Sequence, residues 1–187
     1  MKFKLLFWTL FTLQSLLLLF LLCQSATWKW KSRVALPASQ RQELVQLAKE
    51  ALKTRDVPVS ALLLYEDKII GRGYNTVLRD SNAGGHAEIN ALSDAIRHMG
   101  VEHFDQLNRD SLLLITTFEP CMMCRGAIIE NRIKHVEFIQ QKELSHWIKN
   151  TFKSLRYELI KKKSSESSLQ DSLFRLHPGY PGNNAGH

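Results

Sequence analysis

Between residues 39 and 160 the apolar positions switch repeatedly between two spacings. Leu44, Val45, Ala48, Ala51 and Leu52 recur at helical spacing behind Ser39 and Gln42, a capping-box pair, and predict a helix to about Lys53. Pro58 to Tyr65 reads as a strand, Glu66-Asp67 as a turn and Lys68 to Tyr74 as a returning strand, so the two form an antiparallel hairpin. A polar loop from Asn75 to Gly85 leads into a helix that begins near His86. Its apolar side is Ala87, Ala91, Leu92, Ala95, Ile96 and Met99, and Gly100 stops it. Leu112 to Thr117 is a buried-strand run, a helix follows from Cys121 to Asn131 with Pro120 suited to its start, and His135 to Ile139 is another strand. Leu144 to Asn150 reads as a helix and Leu155 to Ile160 as a last strand. This alternation predicts a three-layer α/β domain with a mixed sheet, and no internal repeat interrupts it.

The first residues follow a different pattern. Leu5 to Leu22 holds fourteen apolar residues in eighteen, interrupted only by Thr9, Thr12, Gln14 and Ser15. A helix of roughly 20 residues crosses a ~30 Å hydrocarbon core, so the run reads as one hydrophobic membrane helix. It is longer than the ~7–15 apolar residues of a cleaved signal, which stays as the alternative. Trp28 and Trp30, interleaved with Lys29, Lys31 and Arg33, read as an interfacial collar. The protein is therefore expected at a membrane through a single-pass anchor, or exported if the segment is cleaved. Basic residues flank the run about equally, so its side of the membrane does not follow.

Composition narrows the classes. A chain of 187 residues has room for one ordinary domain, and three cysteines are too few for a disulfide-stapled scaffold. The net charge of +7 is distributed unevenly. Residues 1–37 carry five basic and no acidic groups, residues 161–187 carry four and two, and residues 38–160 carry sixteen of each. The basicity belongs to the ends. Lys161-Lys162-Lys163 and the serines after it open a polar tail whose composition predicts disorder.

The chemistry concentrates in two places, His86-Ala87-Glu88 and Pro120-Cys121-Met122-Met123-Cys124. Each opens a predicted helix after a loop. Two thiolates three positions apart and one imidazole make three zinc ligands, and a site with three protein ligands keeps a fourth position for water. Glu88 then lies beside the open position as a proton acceptor and donor. Other readings stay open at this point. The cysteines could be a redox pair, or a closed structural site completed by His98, His103, His135 or His146. Glu88 could simply answer the helix dipole.

These motifs, with Gly71-Arg72-Gly73-Tyr74-Asn75, His86 to Leu92 and Glu119 to Ile129, resemble the cytidine deaminase-like superfamily, and within it the tRNA adenosine deaminase and guanine deaminase branch. The resemblance covers roughly Leu44 to Ile139. It implies a three-layer α/β/α domain in which His86, Cys121 and Cys124 bind Zn2+ and Glu88 shuttles protons for zinc-bound hydroxide, so that ammonia leaves a base. Asn75 matches the asparagine that touches base or sugar, and the Ala87 amide the position that polarises the substrate. The chain departs from the branch at Ser81-Asn82-Ala83-Gly84-Gly85, where an Asp-Pro-Thr-Ala-like stretch is usual.

The neutral middle favours a small base, nucleoside or nucleotide as substrate over nucleic acid, because phosphate neutralisation supplies much of the affinity for RNA. Adenosine in tRNA is the alternative substrate, and a membrane-tethered zinc module without catalysis the alternative function. The resemblance also implies a homodimer. The expected organisation is an anchor or signal over 1–28, a basic linker over 29–38, the deaminase domain over 39–160 and the tail over 161–187.

Overall fold

Four apolar runs pair into one sheet: β1 Ser60–Tyr65, β2 Lys68–Tyr74, β3 Leu112–Phe118 and β4 His135–Gln140, in the order β2-β1-β3-β4. β1 is antiparallel to both β2 and β3, and β3 is parallel to β4, so the sheet is mixed as the alternation predicts. This computed structural model describes residues 8, 11–20, 35–162 and 167–176. The helices are α1 (11–20), α2 Ala38–Lys53, α3 Ala87–Met99, α4 Val101–Gln106, α5 Met122–Glu130, α6 Leu144–Ile160 and α7 Ser167–Leu176. Met1–Glu43 and Leu44–His187 are two units, and the sheet lies wholly within the second.

The hairpin turns where expected. Glu66 and Asp67 both take left-handed φ values of 48° and 64°, the pair of conformations a two-residue type I′ turn demands. Successive strand side chains point to opposite faces. One set, Ala61 and Leu63 of β1 with Leu112 and Leu114 of β3, joins Ala87, Ala91 and Ala95 of α3 and Ile128 of α5 in the core. The other set of β1, Ser60, Leu62 and Leu64, is equally buried, and the Ser60 hydroxyl donates to the Leu44 carbonyl of α2 at 2.7 Å. β1 is thus covered on both faces, and each leucine buried there contributes about 1.5–3 kcal/mol.

Small residues let α3 settle close to the sheet. A Cβ on Gly73 would stand 2.1 Å from the Ala87 carbonyl oxygen and 2.3 Å from the Ala91 nitrogen. Both obstacles are backbone and cannot swing aside. Gly73→Ala is therefore expected to cost about 3 kcal/mol, which for a chain of this size lowers Tm by about 6–12 °C. Thermal unfolding of the zinc-loaded protein checks this, and a shift under about 2 °C would show that the β2–α3 contact yields.

Three expectations are corrected. Leu144–Ile160 is one 17-residue helix, where a helix to Asn150 and then a strand from Leu155 are predicted. The segment contains no glycine or proline to stop it, and the Thr151 and Ser154 hydroxyls donate back to the Trp147 and Asn150 carbonyls, four residues earlier. Ser167–Leu176 is helical inside the tail expected to be disordered, because Leu169, Leu173 and Leu176 recur at helical spacing among its serines.

The third correction concerns the membrane. Among the described residues no helix is long and apolar enough to cross one. The single-pass anchor and the membrane localisation are withdrawn on that finding. Most of the rest of that expected segment, and the tryptophan and basic collar after it, lie outside the described residues.

Candidate functional site

The site forms at the sheet end where all four strands begin or finish. Val59 precedes β1, Asn75 follows β2, Phe118 ends β3 and Lys142 lies beyond β4, and all four line one cavity of about 450 Å³. The parallel strands β3 and β4 both run toward it, which is where open α/β sheets leave a crevice for ligands.

Its floor comes from two helix starts. His86 is the N-cap of α3 (φ −78°, ψ 151°) and Cys121 the N-cap of α5 (φ −74°, ψ 175°), both extended and neither capping through its side chain. Cys124 lies three positions beyond Cys121, hence on the same side of the first turn. His86 Nδ1, Cys121 Sγ and Cys124 Sγ stand 3.6 Å from one another on every edge. Zinc bound tetrahedrally at about 2.3 Å from sulfur and 2.0 Å from nitrogen requires edges of about 3.5–3.8 Å. The donor set and its geometry therefore fit zinc. Among the described residues this metal-ligating cluster has three members, and none of the other four histidines considered joins it. His98 engages the Asp94 carbonyl and His146 the Asn150 side chain. The two sulfurs are not bonded to each other.

The cluster's electrostatics favour one anionic sulfur of the two. The hydrogen bond from Cys124 brings the Cys121 thiol down to about 4, with His86 and main-chain donors helping against burial. Cys124 moves the other way, raised by its hydrogen bond with Cys121 and then by burial and the nearby Glu88 carboxylate. The positive ends of α3 and α5 act in the same sense as a metal would.

Glu88 is only 5% exposed and lines the cavity, its Oε2 accepting from Cys124 Sγ at 3.4 Å. Burial raises its carboxyl above the ordinary range. Asn75 donates its main-chain N–H to the Val59 carbonyl, and its Oδ1 accepts from Val77 N–H at 3.1 Å. Asn75 lines the cavity. Ala87, the first residue of α3, lines the cavity between His86 and Glu88. Of the six residues singled out from the sequence, five line this cavity, and Cys124 completes the cluster behind Cys121.

Other contributors were not among the site residues singled out from the sequence. Asp56, 3% exposed, accepts from the Leu78 and Arg79 N–H groups and from the Thr54 hydroxyl, and so pins the loop after β2 to the loop before β1. Glu119, 1% exposed, accepts from Arg125 Nη2 at 2.9 Å, from Lys142 N–H at 2.9 Å and from Trp147 Nε1 at 3.4 Å. Arg125 lies 3.5 Å above the Trp147 ring. One buried carboxylate thereby ties the start of α5 to the β4–α6 loop and to α6. Its partners lie 6, 23 and 28 positions away, beyond any local pattern. Asn90 Nδ2 bridges the Tyr74 carbonyl and the Thr76 hydroxyl, holding the exit of β2, and Asn75 with it, against α3.

Residues 38–140, more than half of the chain, match the family described as the cytidine and deoxycytidylate deaminase zinc-binding region. The chain belongs to that family. It is 42% identical over 83 residues to the tRNA-specific adenosine deaminase of Buchnera aphidicola subsp. Schizaphis graminum, covering 44% of this chain and 52% of the relative. Against the tRNA-specific adenosine deaminase of Buchnera aphidicola subsp. Baizongia pistaciae it is 35% identical over 133 residues, 68% of this chain and 79% of that one. The solved guanine deaminase of Bacillus subtilis superposes with a TM-score of 0.54 at 25% identity, over 74% of this chain and 95% of that chain. The chain spans about half the length of the first of these relatives.

Proposed function

We propose that the protein is a zinc-dependent hydrolytic deaminase of a nucleobase, nucleoside or nucleotide. The observation that carries this is the three-member ligand cluster with a buried carboxylate 3.4 Å from one of its sulfurs, opening into a cavity. Zinc, which His86, Cys121 and Cys124 would hold, would supply the Lewis acidity that lowers the pKa of a water toward neutrality. The remaining work belongs to the chain's own side chains. Glu88 takes one proton from the attacking water and gives it to the ring nitrogen, then carries the second, from the newly added hydroxyl, to the amine, which leaves as ammonia. Asn75 orients the base or sugar, the Ala87 N–H meets the developing charge, and Val57, Val59 and Phe118 keep bulk water from the ring. A non-catalytic zinc module has no use for Glu88 in that place.

In this reading the catalytic domain runs over residues 39–160 as a three-layer α/β/α unit, preceded by a basic linker over 29–38 and followed by a tail over 161–187. The sixteen basic and sixteen acidic residues of 38–160 favour a small substrate. Deamination of adenosine in tRNA is the second reading, supported by what the two Buchnera relatives are called. A homodimer fits the exposure of Met122, Met123 and Ile129 along α5.

Ammonia release by the zinc-loaded full chain tests the proposal, with guanine, cytosine and adenine compounds and unmodified tRNA offered in turn. Release from one of them above the zinc-free control is the expected result. Silence across the panel from folded, zinc-containing protein overturns it.

A further inference from the structure

Among the described residues, the cavity wall carries one lysine or arginine, Lys142, and three carboxylates, Asp56, Glu88 and Glu119. Asp56 and Glu119 are each engaged by three donors from the protein, and Glu88 faces the ligand cluster. None of the three is paired with Lys142 Nζ. That ammonium donates to the main-chain carbonyl of Glu119 and sits 4.4 Å from the centre of the Phe118 ring. Both are neutral partners, and no carboxylate forms an ion pair with Lys142 among the described residues. An ammonium has three N–H donors, so two remain after the carbonyl is served. A half-buried cation without a counter-charge pays a desolvation penalty that an incoming anion relieves.

The position of Lys142 says which part of a substrate it meets. The ring carbon that loses its amine has to reach His86, Cys121 and Glu88 at the floor. Lys142 comes from the loop beyond β4, beside Phe118, while Asn75 follows β2 at the opposite edge of the sheet. A cavity of about 450 Å³ lies within the ~300–1,000 Å³ typical of sites that take whole ligands, with room for more than a ring. We propose that Lys142 is a specificity residue that contacts a phosphate of the substrate, so that the site selects phosphate-bearing nucleosides over bare bases and nucleosides. The inference rests on the deaminase reading of the same cavity. The phosphate belongs either to a free nucleotide or to the phosphodiester of an RNA strand.

Two measurements on the zinc-loaded full chain test this, each on the wild type, Lys142→Met and Lys142→Arg. The first is calorimetric binding of cytidine, adenosine and guanosine beside their 5′-monophosphates and short single-stranded RNAs, at low and moderate salt. The second is ammonia release from the same compounds. A charge-assisted contact to phosphate is worth roughly ten- to a hundred-fold in affinity. The wild type is expected to favour one phosphate-bearing class over the matched nucleoside by that factor, less so as salt rises. Lys142→Met should collapse the preference through KM, with Lys142→Arg restoring it. Preference for monophosphates identifies a free nucleotide, and preference for RNA alone identifies a phosphodiester.

A wild type without preference, or a methionine variant in which nucleoside and nucleotide weaken equally, overturns the assignment and makes Lys142 a structural residue of the β4–α6 loop. Phosphate-selective binding that depends on Lys142, without ammonia release, upholds the assignment and overturns the deaminase reading. Ammonia release without selectivity does the reverse.

Discussion

Replacing Glu88 by glutamine is expected to lower kcat by about 10²–10⁴-fold, the range over which a positioned general acid–base acts, while zinc content and Tm stay close to wild type. Glutamine keeps the volume of the side chain, so the packing around the cluster is preserved. What it loses is the capacity to take and return a proton. The site holds no ready substitute. Asp56 and Glu119 also line the cavity, yet the first is spent on the Leu78 and Arg79 amides and the second on Arg125, Lys142 and Trp147. Ammonia release measured beside zinc content and thermal unfolding checks the expectation. A loss of less than about ten-fold, with zinc retained, would falsify the role of Glu88, since no other described carboxylate could carry the proton without breaking the loops it holds.

The legibility of this chain depended on how far each signal reached along it. β2 runs from Lys68 to Tyr74 as read, because a hairpin is a local object and its turn is set by two residues, Glu66 and Asp67. His86, Cys121 and Cys124 were legible because helix starts and ligand spacing are local patterns too, and the 3.6 Å triangle follows once α3 and α5 pack on the same face of the sheet. α4 was missed, since six residues are too few to show a helical period and only Phe104 among them is buried. The strand read over Leu155 to Ile160 failed because a short alternation of apolar and polar residues cannot be told from one face of a longer helix. Glu119 and Asp56 matter through partners that only the fold brings near. The apolar run near the start was over-read: hydropathy alone suggested a span, and the described helical residues do not reach one. The tail erred the opposite way, its serine-rich composition masking the spacing of Leu169, Leu173 and Leu176.

Removing zinc should cost more than activity. Chelation is expected to reduce ammonia release to background and to lower Tm by about 8–16 °C, with both restored when zinc is returned. The estimate follows from linkage: a ligand at a thousand times its Kd stabilises by about 4 kcal/mol, and each kcal/mol moves Tm by about 2–4 °C in a chain of 150–250 residues. The structural reason lies in what the ion would join. His86 stands 35 residues from Cys121 and 38 from Cys124, and the three meet only because α3 and α5 begin side by side. Without a metal, two sulfurs at 3.6 Å cannot both be thiolates, and the cluster relies on a proton shared between Cys121 and Cys124. The metal replaces that shared proton with three bonds and fixes the two helix starts, and Glu88 with them. His86→Ala should therefore unfold near the Tm of the chelated wild type, and adding chelator to the variant should lower it no further, because the two changes remove one interaction. A Tm that ignores chelation while zinc leaves would mean that packing alone holds α3 and α5 in place. X-ray absorption on the loaded protein separates the remaining alternative: two sulfurs, one imidazole nitrogen and one light exchangeable ligand fit an open site, whereas a second imidazole would close it and leave Glu88 without a water to deprotonate.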